Sequence, residues 1–78
     1  MNTVLLDGAV TRDDGILGGI PVFTGSRVPI ENLFDFLSGG YDLNRFLETF
    51  PRVKPEYARR VLAESSEALI SAIGARAA

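Results

Sequence analysis

The sequence predicts one small domain that is mainly helical and opens with a small β unit. Five of its eight glycines lie within residues 8–25, where short extended stretches alternate with turns. Three helical patterns follow, each bounded by residues that start or stop helices, and neither a linker nor a repeat interrupts them. We therefore expect a single domain spanning residues 1–78. Within it, residues 1–28 should form a β hairpin with an extended segment, and residues 29–73 a three-helix unit with a helix-turn-helix.

The β unit is predicted from turn residues between short apolar stretches. Residues 4–11 have the pattern of a hairpin, because Asp7-Gly8 suits the left-handed positions of a type I′ turn. Residues 20–23 form a second extended stretch. Pro21 cannot donate a ladder hydrogen bond, so this strand should lie at an edge or pair on one side only. The chain then turns through Thr24, Gly25 and Ser26 into Arg27 and Val28.

The first helix should begin at Pro29, because the first helical position does not need an N–H. Phe36 lies off the apolar face of this helix and predicts a second buried surface. Gly39 and Gly40 should end the helix, because glycine adopts the left-handed cap without steric cost. The apolar face has the spacing i, i+3, i+4 and i+7, and it consists of Ile30, Leu33, Phe34 and Leu37.

Two further helices are expected, separated by a four-residue turn. Asp42 is a good N-cap for the second helix, and Pro51 ends it. The third helix should begin at Pro55 and extend to residue 72 or 73, and residues 74–78 should fray. A short capped helix, a tight turn and a longer helix match the helix-turn-helix pattern. The expected inner face of the second helix is Phe46, Leu47 and Phe50, and the packing stripe of the third is Ala58, Val61, Leu62, Ser65, Leu69 and Ile73.

The composition excludes several classes of function. The chain has no Cys and no His, which removes disulfides, thiolate and imidazole chemistry and the commonest metal ligands. We therefore expect no enzyme activity, no cofactor and no metal. No apolar run approaches 18 residues, and the first residues lack a signal-peptide pattern. A cytoplasmic protein without membrane contact is the expectation.

The charges are unevenly distributed along the chain. The net charge is −2, but residues 43–60 carry five basic and two acidic side chains, a local balance of +3. In a helix-turn-helix, the second helix of the pair enters the major groove with its N-terminal residues leading. DNA binding is therefore expected from the basic and aromatic side chains of this window. They are Arg45, Arg52, Lys54, Tyr57, Arg59 and Arg60.

The same residues also admit a structural interpretation. Arg60 lies four positions from both Glu56 and Glu64, so both pairs can form salt bridges on a solvated helix face. Tyr57 equally suits a partially buried ring beside the turn. Spacing and charge leave both interpretations open.

A motif between residues 18 and 29 carries a family resemblance. It runs glycine, one residue, proline, valine, two residues, glycine, serine, arginine and an aliphatic residue. Together with residues 37–40 and Phe50-Pro51, it resembles a bacterial and archaeal family known as domain of unknown function four-three-three. The resemblance extends from about residue 10 to residue 69. Its motif residues in this chain are Gly19, Pro21, Gly25, Ser26 and Arg27.

The resemblance implies a homeodomain-like helix-turn-helix and the role of an antitoxin in a type II toxin–antitoxin pair. Such a protein would bind and neutralise a PIN-like nuclease toxin, and it would bind operator DNA as an autorepressor. The chain departs from the family at Lys54, where a Ser or Thr cap is usual; its charge could serve a phosphate or simply weaken the helix start. No settled role transfers to the motif residues.

Arg27 is expected to be structural. An arginine between a strand and a helix can tie down carbonyls at the helix end or an acidic residue across a subunit boundary.

A small core predicts self-association, and DNA-binding proteins of this type commonly dimerise. We expect a homodimer or a higher even oligomer. The candidate buried surfaces are the exposed edge at residues 20–23, Phe36, and the group Leu69, Ile70 and Ile73.

Two functions remain. The first is a DNA-binding antitoxin and autorepressor. The alternative is a protein-interaction module that sequesters a partner without binding DNA.

Overall fold

A computed structural model describes residues 2–74 of the chain. A small antiparallel sheet precedes three helices, which confirms the expected fold class. The fraying expected at residues 75–78 lies outside the described residues. The elements in chain order are β1 (Asn2–Leu5), β2 (Val10–Asp13), a short 3₁₀ turn (Leu17–Gly19), β3 (Val22–Phe23), α1 (Ile30–Ser38), α2 (Leu43–Thr49) and α3 (Pro55–Ile73).

The sheet has the order β1-β2-β3, and both pairs are antiparallel. β3 lies at the edge, as Pro21 predicts. The outer side of β3 is nevertheless covered by the segment that leads into α1. The Val28 carbonyl accepts a hydrogen bond from the Phe23 N–H at 2.9 Å, and the Pro21 carbonyl accepts one from the Ile30 N–H at 3.1 Å. These bonds fix the start of the helical unit against the sheet.

The hairpin between β1 and β2 turns one residue earlier than Asp7-Gly8 predicts. Leu6 and Asp7 have φ angles of 51° and 56°, and the Gly8 N–H donates to the Leu5 carbonyl at 3.2 Å. The central pair of the turn is therefore Leu6-Asp7. Packing explains the shift, because Leu6 is half-buried against the core. That burial offsets the cost of a left-handed leucine, about 1–2 kcal/mol.

α1 starts one residue later than predicted and ends as predicted. Pro29 precedes the helix with an extended ψ of 140°, because it is held in a bridge with Val22. At the other end, the Gly40 N–H donates to the Leu37 carbonyl at 3.1 Å, and the Tyr41 N–H donates to the Phe36 carbonyl at 3.0 Å. This pair of bonds is a Schellman motif, and Gly40 supplies its left-handed residue with a φ of 92°.

α2 and α3 follow the sequence prediction closely. The Asp42 carboxylate accepts a hydrogen bond from the Arg45 N–H at 2.8 Å and caps α2. α3 begins at Pro55 and ends at Ile73, and Gly74 caps it in a left-handed conformation. None of the helices within residues 2–74 has the length and apolarity needed to cross a membrane.

The core lies between the sheet and the helices, and its largest side chains are aromatic. Phe46 of α2 is fully buried, with its ring centroid 5.8 Å from that of Phe23 in β3 and 5.6 Å from that of Phe36 in α1. Phe36 also contacts Phe50, which confirms the second buried surface predicted for it. The buried apolar residues are Ala9, Val10, Val22, Phe23, Leu33, Phe46, Val53, Ala58 and Val61.

Two expected surfaces differ from the prediction. The segment at residues 20–23 is not an exposed apolar edge, because Phe23 and its neighbour Val22 belong to the core and only Ile20 is exposed. The stripe along α3 is buried only in its first half. Leu69 and Ile73 are 60% and 65% exposed. A helix of 19 residues is about 28 Å long at 1.5 Å per residue, and the packed side chains of its stripe end near Ser65.

The aromatic cluster predicts where the fold is most sensitive. Phe46→Leu removes the ring that packs between the sheet and α1 and leaves unfilled volume, so we expect the free energy of unfolding to fall by about 1–3 kcal/mol. Asn44→Ala, an exposed position of the same helix, should change it by no more than about 0.5 kcal/mol. Urea denaturation followed by circular dichroism measures both. Equal effects of the two substitutions would contradict the central place of the Phe46 ring.

Candidate nucleic-acid interface

Four of the predicted DNA-binding side chains lie exposed on α2, on the turn after it, and on α3. Arg45 is in the first turn of α2, and Arg52 and Lys54 lie in the turn between the helices. Arg59 follows one helical turn into α3. The turn is held from below by Val53, which is 2% exposed and belongs to the core. Because Val53 points into the core, its neighbours on either side, Arg52 and Lys54, are turned toward solvent.

These four cations are not engaged by carboxylates within the part of the chain that the structure describes. Within residues 2–74, neither Arg45 nor Arg52 forms an ion pair, and the same is true of Lys54 and Arg59. Because these side chains are exposed, their charges are screened mainly by water and salt. The residues are therefore available to an external anion, and their role in DNA binding stays a prediction.

Arg60 has a different environment from the other four. Its Nε donates to Asp7 Oδ2 at 3.1 Å, and its Nη2 lies 3.3 Å from Glu64 Oε1. The hydrogen bond to Asp7, reinforced by the one to Glu64, raises the pKa of the Arg60 guanidinium. The predicted pair with Glu64 is confirmed, whereas Arg60 does not pair with Glu56 within the described part of the chain. The sequence gives no signal for Asp7, which lies 53 positions away.

Tyr57 and Lys54 act on each other at the start of α3. The Lys54 Nζ lies 5.3 Å from the centroid of the Tyr57 ring, which is half-buried against the core. This geometry allows a cation–π interaction. Lys54 makes no side-chain cap of the helix, and α3 starts instead with Pro55, which has no N–H to satisfy, and with Glu56, whose charge suits the helix N-terminus.

The first two residues of the family motif serve the backbone. Gly19 is buried with a φ of 89°, and its carbonyl accepts a hydrogen bond from Arg12 Nε at 3.1 Å. A Cβ at Gly19 would lie 3.0 Å from Asp14 Oδ1, so a side chain there would also be crowded. Pro21 supplies the carbonyl that receives the Ile30 N–H. Both residues therefore shape the segment that precedes α1.

The second part of the motif forms a closed turn. Gly25 has a φ of 81°, and the Ser26 N–H donates to the Phe23 carbonyl at 3.0 Å. Ser26 is buried, its Oγ donates to the same carbonyl at 2.7 Å, and it accepts from the Val28 N–H at 3.1 Å. The hydroxyl of Ser26 thus fixes the backbone on both sides of Arg27.

Arg27 itself is exposed and binds no carbonyl or carboxylate within residues 2–74. Within these residues it therefore ties down no carbonyl at a helix end, whereas a contact with an acidic residue across a subunit boundary stays a prediction. The short hydroxyl of Ser26 instead binds a carbonyl at the end of β3, that of Phe23. Arg27 instead lines an open groove of about 610 Å³ together with Arg52. The remaining lining residues of this groove are Ile16, Gly25, Ser26 and Val28.

The sequence did not predict that Arg27 and Arg52 line the same groove. The two residues lie 25 positions apart, one in the turn after β3 and the other in the turn before α3. The motif and the helix-turn-helix pattern each pointed to one of them. Only the packing of α1 and α2 against the sheet brings them to one groove.

Comparison of the chain with curated proteins finds a similar sequence in a bacterium. The chain is 38% identical over 50 residues to the "Uncharacterized protein y4eO" of Sinorhizobium fredii (strain NBRC 101917 / NGR234). The match covers 64% of this chain and 23% of that protein, so the chain spans less than a quarter of the length of this curated relative. No solved structure matches the chain.

A family model, described as "Protein of unknown function (DUF433)", matches residues 10–63. The matched range contains β2, the glycine–serine–arginine turn, α1, α2 and the first half of α3. It thus includes both walls of the groove and all six predicted DNA-binding residues. Because this match covers more than half of the sequence, the chain belongs to the DUF433 family.

Proposed function

We propose that this protein binds operator DNA through α2, the following turn and the start of α3. The observation that carries the proposal is a set of exposed cations at this place in the fold that form no ion pair within residues 2–74. They are Arg45, Arg52, Lys54 and Arg59.

The position of these cations suits a DNA duplex. In helix-turn-helix proteins the N-terminal residues of the second helix contact base edges, and residues around the turn contact phosphates. Arg59 lies at the solvent-facing start of α3 and could fork onto guanine O6 and N7. Arg45, Arg52 and Lys54 flank it and suit the sugar–phosphate backbone. The net charge of −2 does not oppose this arrangement, because residues 43–60 have a local balance of +3.

Arg60 and Tyr57 take supporting roles in this proposal. Arg60 would have to leave both Asp7 and Glu64 to reach DNA. We therefore propose that it holds α3 against the β1–β2 hairpin and positions Arg59. The Tyr57 ring would position the Lys54 ammonium group through the cation–π interaction.

The antitoxin role is the finer part of the proposal. It rests on the resemblance of the motif Gly25-Ser26-Arg27 and its surroundings to a family whose members look like antitoxins. On this proposal the chain neutralises a PIN-like nuclease toxin by direct binding and represses its own operon in the cytoplasm. Two apolar side chains, Leu69 and Ile73, are exposed on the second half of α3. Their exposure favours binding of a protein partner, in addition to the proposed binding of DNA by the cations.

The alternative function is a protein-interaction module that does not bind DNA. The same exposed residues, Leu69 and Ile73, favour it, since such side chains pack well in protein interfaces. In that case the cations at the start of α3 would serve solubility or contact acidic groups of the partner.

A DNA-binding measurement separates the two functions. Fluorescence anisotropy with the DNA upstream of the gene should show selective binding that weakens steeply with salt, because phosphate contacts release counterions. Arg59→Ala should weaken binding to this DNA about 10-fold and reduce the preference over random DNA. Ser66→Asp is the matched control, because it makes the same change of net charge at an exposed position farther along α3. It should have little effect.

The outcomes have distinct meanings. Failure of the folded wild-type protein to bind the upstream DNA, alone or with a co-purified partner, would contradict operator binding and favour the interaction module. Equal losses in Arg59→Ala and Ser66→Asp would show that only net charge matters, and would contradict a specific role of α3.

Self-association is a separate proposal, and its candidate surface is the exposed end of the α3 stripe. Replacing Leu69 and Ile73 together by Ser should convert a homodimer or higher even oligomer into a monomer, because two apolar side chains leave the interface. Light scattering coupled to size-exclusion chromatography measures the mass. Leu17→Ser, an equally apolar exposed residue outside α3, is the control and should leave the mass unchanged. An unchanged oligomer in the double variant would exclude this surface.

A further inference from the structure

The groove between the motif turn and the helix-turn-helix is lined by two positively charged residues and by no acidic residue. Arg27 and Arg52 line it from two separate turns, and none of the lining residues is acidic. Neither arginine forms an ion pair within residues 2–74. Two arginines on one groove make it positively charged, and this charge attracts anionic groups.

The groove presents Arg27 from a fixed backbone. Ser26 is 7% exposed, and its hydroxyl is bonded to the Phe23 carbonyl and the Val28 N–H on either side of Arg27. The same segment pairs with β3 through the Phe23 N–H and the Val28 carbonyl. The motif therefore holds one particular turn, and the arginine is the exposed charged residue of that turn.

The groove also adjoins the surface proposed for DNA. Arg52 lies three residues before Pro55, where α3 begins, so it belongs both to the groove and to the turn of the helix-turn-helix. A DNA strand that flanks the start of α3 meets Arg52 first and would continue toward Arg27. The repeating single charges of a phosphate backbone match a row of separated arginines.

From this continuity we infer that the Arg27–Arg52 groove is a phosphate-binding site that holds the DNA backbone beside α3. The inference rests on the proposed DNA binding and extends it to a residue outside the helix-turn-helix. It also gives the Gly25-Ser26-Arg27 motif a function, since the glycine and the serine build the turn and the arginine contacts the phosphate.

The salt dependence of binding tests this site. Arg27→Gln should weaken binding to the upstream duplex and to a random duplex by similar factors, because a phosphate contact carries no sequence information. The slope of log K against log salt should become shallower by about 0.9, because the variant neutralises one phosphate fewer. Arg27→Lys keeps the charge and should retain most of the slope. Ser66→Asp provides the same change of net charge away from the groove and should keep the full slope.

A double variant strengthens the test. Arg27→Gln combined with Arg52→Gln should lower the slope by about twice the single effect, since each residue neutralises its own phosphate. Thermal unfolding should be unchanged in Arg27→Gln, because the Arg27 side chain makes no polar contact within the described residues. A large loss of stability would show that Arg27 is structural and would overturn the inference.

The remaining outcomes separate this inference from the proposed function. Wild-type binding with an unchanged slope in Arg27→Gln would overturn the phosphate site and leave the DNA-binding role of α3 intact. Loss of a co-purified protein partner from Arg27→Gln, with DNA binding unchanged, would assign the groove to an acidic protein segment and also overturn the site. Absence of wild-type binding to either duplex would overturn both proposals.

Discussion

The Phe46 ring joins the sheet to the first two helices, and the placement of the candidate groove follows from its packing. This ring, from α2, touches Phe23 of the sheet, Phe36 of α1 and Phe50 at the end of its own helix. A chain of this size buries a thin core, so one aromatic cluster holds the sheet and two helices together. Both arginines of the candidate groove follow elements that contribute to this cluster. Arg27 follows the strand of Phe23, and Arg52 follows the helix of Phe46.

Local signals in the sequence predicted the helices well. Asp42, Pro55 and Gly40 act on backbone groups within a few residues of themselves, so their capping roles could be deduced without knowledge of the fold. The errors occurred where tertiary packing decides. The hairpin turn moved to Leu6-Asp7 because Leu6 enters the core, and Pro29 stayed extended because it pairs with Val22. The position of Arg27 and Arg52 on one groove depends on the same kind of long-range packing, so the sequence could not predict it.

The environment of Arg60 shows why charge spacing alone does not identify a binding surface. The sequence places Arg59 and Arg60 side by side, yet Arg60 is engaged by Asp7 and Glu64 while Arg59 is exposed and unpaired within residues 2–74. An arginine with two carboxylate partners must break both ion pairs before it can contact a phosphate. An arginine without an ion pair has only to release bound water. Asp7 at the hairpin tip and Glu64 on α3 therefore engage one arginine of the basic window, while the other cations of that window are exposed.

The family motif can have both a structural role and a binding role, because different atoms would serve each of them. The backbone of Gly25 and the hydroxyl of Ser26 are used inside the chain, and a larger residue at position 26 would have to displace a buried hydroxyl with two hydrogen bonds. The Arg27 guanidinium takes part in none of these bonds. A residue needed only for folding would be expected to contact the fold, and Arg27 instead lines a groove with a second arginine. This exposure is the basis for the inference that Arg27 contacts an external anion, because arginine is well suited to bind phosphate.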